Sequence, residues 1–209
     1  MAGLALAGLL RLVPPWTERH PEATLVQYVR DADAGGARLI SGEPRLSRWT
    51  RSLLGRDGGT PVQVMDERVS RGKVWSVPAR PVALRGSDSE MQVLADGRRR
   101  LVVRNPANAR ALGLDLRSNT LAADVAINGR PAGLLAAPGV WNRLRLQAPP
   151  EEVVVEFRPA GPGSLEVSPL TRLDGWPEGL PPLPPRRRDE MAFGDSDTAL
   201  VTSARTYSW

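Results

Sequence analysis

His20 is the only histidine in the chain and cysteine is absent, so few side chains are able to titrate or bind metal near neutral pH. A zinc centre takes several His, Cys or carboxylate ligands. His20 stands beside Pro21 with no second imidazole and no HExxH spacing. Serines are present without a GxSxG elbow, and neither a P-loop nor a GxGxxG run occurs. Acidic pairs fall at Asp31/Asp33, Asp66/Glu67, Asp88/Glu90 and Asp195/Asp197. Paired carboxylates serve glycoside hydrolysis or calcium binding, and Asp195 and Asp197 are the calcium candidates. Turn residues that satisfy backbone N–H groups explain all four pairs more simply. Trp75 and Trp141 are the candidates for a sugar-stacking platform, against the plainer role of core packing. No cofactor is expected.

The net charge is +5, carried almost wholly by arginine, since Lys73 is the only lysine. The arginines are scattered singly, apart from Arg98–Arg100 and Arg186–Arg188. Neither run is interleaved with aromatics as a single-strand groove would be, so a solvated basic surface is expected and nucleic acid is not.

The elements that must hold these residues read as β. Twenty glycines and twenty prolines oppose a helical bundle and suit short strands joined by turns. Residues 23–30 alternate as a strand and return through a turn to 37–41, forming a hairpin. Further strands are expected at 62–65, 73–77, 91–94, 100–104, 112–116, 123–127, 143–147, 153–157, 165–167 and 199–209. Asn128-Gly129 is a strong hairpin turn. Turn signals every eight to twelve residues or so point to an antiparallel β-sandwich. One short helix is expected over 46–54, with Trp49 in the core and Gly55 closing it. Residues 176–188 form a proline-rich connector lying across the sandwich surface.

Residues 1–16 are an apolar, helical segment too short to span a bilayer and without the basic start of a secretory signal. Two readings fit: the end of a transmembrane helix, with Arg11 and Trp16 as interfacial anchors, or a short buried or amphipathic helix. Residues 17–209 then form a β-rich domain, with a composition break at 86–89 as a seam between two subdomains.

Four stretches carry a resemblance: HPEATLVQYVRDADAGGARLI (20–40), RLSRWTRSLL (45–54), DGWPEGLPPLPP (174–185) and DSDTALVTSARTYSW (195–209). Together they resemble the C-terminal extracytoplasmic region of bacterial membrane-anchored zinc exopeptidases, the aminopeptidase class related to endoplasmic-reticulum metallopeptidases. In that class a catalytic α/β domain precedes transmembrane helices and a β-rich domain. The resemblance implies a non-catalytic accessory domain on the periplasmic face of the membrane, partnered by the catalytic and transmembrane part. No catalytic position carries over, because the metal ligands belong to the catalytic domain. A fragment, a split gene product and a stand-alone copy all fit. The rival expectation is an independent module binding carbohydrate or envelope polymer through Trp75 or Trp141.

Overall fold

A computed structural model describes residues 16–66, 69–70 and 72–209. It runs through β1 (Glu22–Thr24), β2 (Gln27–Asp31), β3 (Ala37–Ser41), helix α1 (Arg48–Leu54), β4 (Val62–Met65) and β5 (Lys73–Pro78). Next come β6 (Asp88–Val93), β7 (Arg99–Arg104), β8 (Ala109–Ser118), β9 (Ala122–Ile127) and β10 (Arg130–Pro131). The remaining strands are β11 (Asn142–Gln147), β12 (Glu152–Pro159), β13 (Ser164–Leu173), β14 (Glu190–Ala192), β15 (Thr198–Thr202) and β16 (Arg205–Ser208).

These strands form a nine-stranded sheet in the order β11-β8-β13-β15-β2-β3-β5-β4, with β16 also paired to β13. A five-stranded antiparallel sheet has the order β10-β9-β12-β7-β6, and β1 and β14 form a two-stranded sheet among the described residues. The protein is thus mainly β, as its turns and alternation predict. The expected purely antiparallel arrangement is corrected at two places. β15 runs parallel to β2, and β1 runs parallel to β14. Parallel neighbours need long crossovers, and here almost the whole chain separates the partners.

A second difference concerns residues 23–30. The alternation over 23–30 predicts one continuous strand, but the chain divides at Leu25–Val26 into β1 and β2. Val26, Tyr28 and Val29 are all essentially inaccessible, so both faces of the sheet are covered here rather than one. Tyr28 packs with Leu173, Ala199 and Val201 on one face, while Val29 packs with Ile40, Val74 and Leu200 on the other.

The C-terminal strand expected over 199–209 is likewise divided, into β15 and β16. Both pieces keep one register on β13, from Leu173↔Ala199 to Ser164↔Ser208. The gap at Ser203–Ala204 lies opposite Pro169 and Ser168, where proline has no N–H to donate to the ladder. Trp209 is tied down beyond it: its backbone exchanges two hydrogen bonds with Gly163, and its indole N–H donates to Gly161 O at 2.8 Å.

Local signals hold well elsewhere. Asn128 and Gly129 take φ of +48° and +76°, the doubly left-handed turn that joins β9 to β10 in two residues. Helix α1 starts at Arg48 because the Ser47 hydroxyl accepts the Thr50 N–H. Glu43 braces that cap by accepting N–H bonds from Ser47 (2.6 Å) and Leu25 (2.7 Å). Trp49 is buried, as its spacing predicts.

Residues 86–89 carry the chain from the nine-stranded sheet into the five-stranded one. Ser87 is buried, donating its N–H to Thr171 Oγ1 and its hydroxyl to Asn105 Oδ1, each at 2.7 Å. Gly86 lies so close to β15 that an added Cβ would stand 2.6 Å from Val201 Cγ1. The largest hydrophobic cluster draws Leu101, Val103, Val153 and Val155 from the five-stranded sheet and Leu112, Leu114, Leu116 and Leu165 from the nine-stranded sheet. The apolar segment expected over residues 1–16 lies outside the described residues except for Trp16, which is exposed.

The parallel β1–β14 pair sets Glu22 opposite Glu190, with Glu43 close by. Burial, then the charges of Glu43 and Glu190, raises the Glu22 pKa above the ordinary glutamate value. The folded state therefore holds a proton that the unfolded chain releases, and stability falls as pH rises through that window. Glu22→Gln is expected to melt higher than the parent at pH 7, by less than about 4 °C, a gain under ~1 kcal/mol. The gain should vanish well below pH ~4, where both forms are neutral. Paired thermal melts across pH check the sign.

Candidate functional site

Trp75 and Trp141 do not share a site. They belong to opposite regions of the nine-stranded sheet, with β5 six strand steps from β11, on the order of 29 Å at ordinary strand spacing. Trp75 lies within β5, half-buried, and its indole N–H donates to Glu43 O at 3.0 Å. That bond ties it to the segment leading into α1. Trp141 immediately precedes edge strand β11 and is 39% exposed.

The register around Trp141 builds an ordered polar face. On β8, Leu112, Leu114 and Leu116 enter the hydrophobic cluster, which places Gly113, Asp115 and Arg117 on the opposite face. Leu144 and Leu146 of β11 pack against the same cluster, so Arg143, Arg145 and Gln147 share the outer face with Trp141. Pairing then sets Arg143 opposite Asp115 and Arg145 opposite Gly113. On β13, Glu166 lies opposite Arg117, Leu170 opposite Gly113, and Arg172 opposite Ala111.

At one corner of this face the Arg117 guanidinium stacks 4.6 Å from the centre of the Trp141 ring and forks onto Glu166, with Nε donating to Oε1 at 3.2 Å and Nη2 to Oε2 at 2.7 Å. Cation–π stacking and the bidentate pair fix the indole's orientation. At the other corner a cavity of about 280 Å³ has Gly113 and Leu170 in its lining together with Arg143, Arg145 and Arg172. Gly113 lets the Arg145 guanidinium lie close across the strand: a Cβ there would come within 3.2 Å of it. Asp115 accepts from Arg145 at 2.7 Å and lies 3.6 Å from Arg143. Arg172 pairs with Asp195 at 2.7 Å, while its Nε is buried without a hydrogen-bond partner among the described residues.

Apart from Glu67, which lies outside the described residues, the acidic pairs are engaged in turns and ion pairs. Asp31 accepts the N–H groups of Asp33 and Ala34, and Asp33 accepts the Ala204 N–H. Asp66 pairs with Arg38 and accepts the Val69 N–H. Asp88 accepts the Ser89 N–H, and Arg104 bonds to Glu90, holding its carboxyl below the ordinary glutamate range. Among the described residues, no group of three or more His, Cys, Asp or Glu side chains is placed to hold a metal ion. His20 lies on the surface, closing a short turn with Thr17.

The basic run at 186–188 departs from its expected solvated character. Arg188 is exposed, but only 16% of the Arg186 side chain is accessible. It stacks 4.0 Å from the Trp49 ring centre, forks onto Asp197 at 2.6 and 2.7 Å, and donates to Thr24 Oγ1 at 2.6 Å. The proline-rich connector is anchored beside it: Trp49 donates to Pro184 O, and Trp176 donates to Pro181 O.

Sequence reading named Trp141 but missed its arginine neighbours. The signal was present in the alternation of Trp141, Arg143 and Arg145, which puts all three on one face of any strand. Arg117, Glu166 and Arg172 came from other strands, and only the register brings them alongside. Among the described residues no helix is long and apolar enough to cross a membrane. No family model matches the chain, and no curated protein matches it either.

Proposed function

We propose that this chain is a non-catalytic, extracytoplasmic accessory domain of a membrane-bound zinc exopeptidase, built as a β-sandwich and working beside the catalytic and transmembrane part at the periplasmic face. One observation carries the reading. The four stretches that resemble that class fall in two groups, 20–54 and 174–209, and the chief parts of both meet in one substructure. β2 pairs with β15, the Val26 N–H donates to Ser196 Oγ, Trp49 of α1 holds Pro184, and Trp176 caps the same connector. Resemblance confined to residues that assemble is what a shared structural kernel produces. The cluster shared by the two larger sheets supports the sandwich. The engagement of the acidic pairs by arginines and backbone N–H groups supports a structural use for them.

The test is direct. A reading frame beside this one should encode zinc ligands and several transmembrane helices, and its product should co-purify with this chain from detergent extract. A purified chain that hydrolyses aminoacyl substrates in the presence of zinc would refute the proposal.

A second reading has one specific support: Trp141, with Arg117 and Glu166 beside it, combines a partly exposed indole with polar groups, as sugar sites do. Binding on a glycan array that also quenches tryptophan fluorescence, and is lost in Trp141→Ala, would favour it. Silence in both measurements excludes it.

A further inference from the structure

The free edge of β11 and the arginines on its outer face form a surface with a definite chemistry. β11 ends the nine-stranded sheet, and no strand among the described residues pairs with its outer side. A six-residue edge strand leaves alternate N–H and C=O groups directed away from β8, ready to pair with an added strand. Its outer-face residues Arg143, Arg145 and Gln147 are exposed.

We propose that this edge docks an extended acidic peptide from a partner protein, which adds as a tenth strand beside β11. Side chains on one face of a strand recur every second residue, so two carboxylates spaced i, i+2 on the incoming peptide match Arg143 and Arg145. Guanidinium forks bind carboxylates in a bidentate way, and opposite charges set the register of the added strand. Asp115 is an internal competitor. It accepts from Arg145 and lies beside Arg143, so an incoming carboxylate takes over contacts that Asp115 now makes. Arg145 also donates to Leu144 O at 2.9 Å, which gives it a second interaction within the edge itself. This surface stands on geometry alone and holds whether or not the partner is a zinc exopeptidase.

The probe is a fluorescein-labelled peptide of alternating valine and glutamate, tested on the full chain by anisotropy, with a valine–lysine peptide as the opposite charge. The acidic peptide should bind and the basic one should not, and amide exchange should slow along residues 142–147. Arg143→Glu with Arg145→Glu should weaken binding roughly tenfold or more. Asp115→Asn should tighten it by roughly threefold, an effect that misfolding cannot imitate. No binding of the acidic peptide, equal binding of both peptides, or binding without protection of the β11 amides would each overturn the proposal. Arginine-dependent binding to phosphatidylglycerol vesicles in place of the peptide would overturn it too, assigning the surface to a membrane.

Discussion

Arg186→Ala is expected to lower stability by about 3 kcal/mol, enough to move the melting temperature down by roughly 6–12 °C in a domain of this size. The guanidinium satisfies four separate groups at once: the Trp49 ring, both oxygens of Asp197, Thr24 Oγ1 and Ser196 Oγ. Its removal leaves the Asp197 carboxylate, only 28% accessible, without its countercharge. It also frees the connector from α1 where Pro184 is held. Arg186→Lys should recover less than half of the loss, because an ammonium cannot fork onto a carboxylate while stacking flat on an indole. Full recovery by lysine would show that charge alone matters there. Urea melts of the three proteins decide between these outcomes.

Phe157→Ala is expected to cost a further class of stability, about 3–5 kcal/mol, by emptying space at the centre of the shared cluster. Phe157 is fully inaccessible and lies edge-on to Trp209, with ring centres 5.5 Å apart and planes at 62°. Trp209→Ala should be milder, since that ring is only half-buried and its main-chain bonds to Gly163 survive the change. The double variant should lose less than the sum of the two, by about 0.5–1.5 kcal/mol, the coupling of an aromatic pair. Strict additivity would mean that the ring contact contributes nothing beyond area.

Much of the secondary structure was legible because it is written locally. Alternation located β4, β5, β8, β9, β11 and β12 to within a few residues, and Asn128-Gly129 named its own turn. What escaped depended on partners distant in sequence. The pairing of Gln27 with Thr198 leaves no trace in either segment, and the residues packed over Tyr28, such as Val82, Leu84, Trp176 and Leu180, are likewise distant from it in sequence. Arg186 looked like one member of a solvated run, since burial of a charge is decided by the ring and carboxylate brought to it. Trp75 and Trp141 were equivalent in the sequence. The sheet order separates them, leaving one tied to Glu43 and the other beside Arg117.

The parallel seam between β2 and β15 has a consequence for biosynthesis. Strand β2 emerges from the ribosome long before the residues that must lie against it, so the early hairpin waits with one flank unmatched while most of the polypeptide is still being made. Contact order of this kind slows folding, because the ends of a long loop must meet before their contacts reward closure. Newly made chains should therefore depend on holding chaperones until β15 arrives and the seam closes.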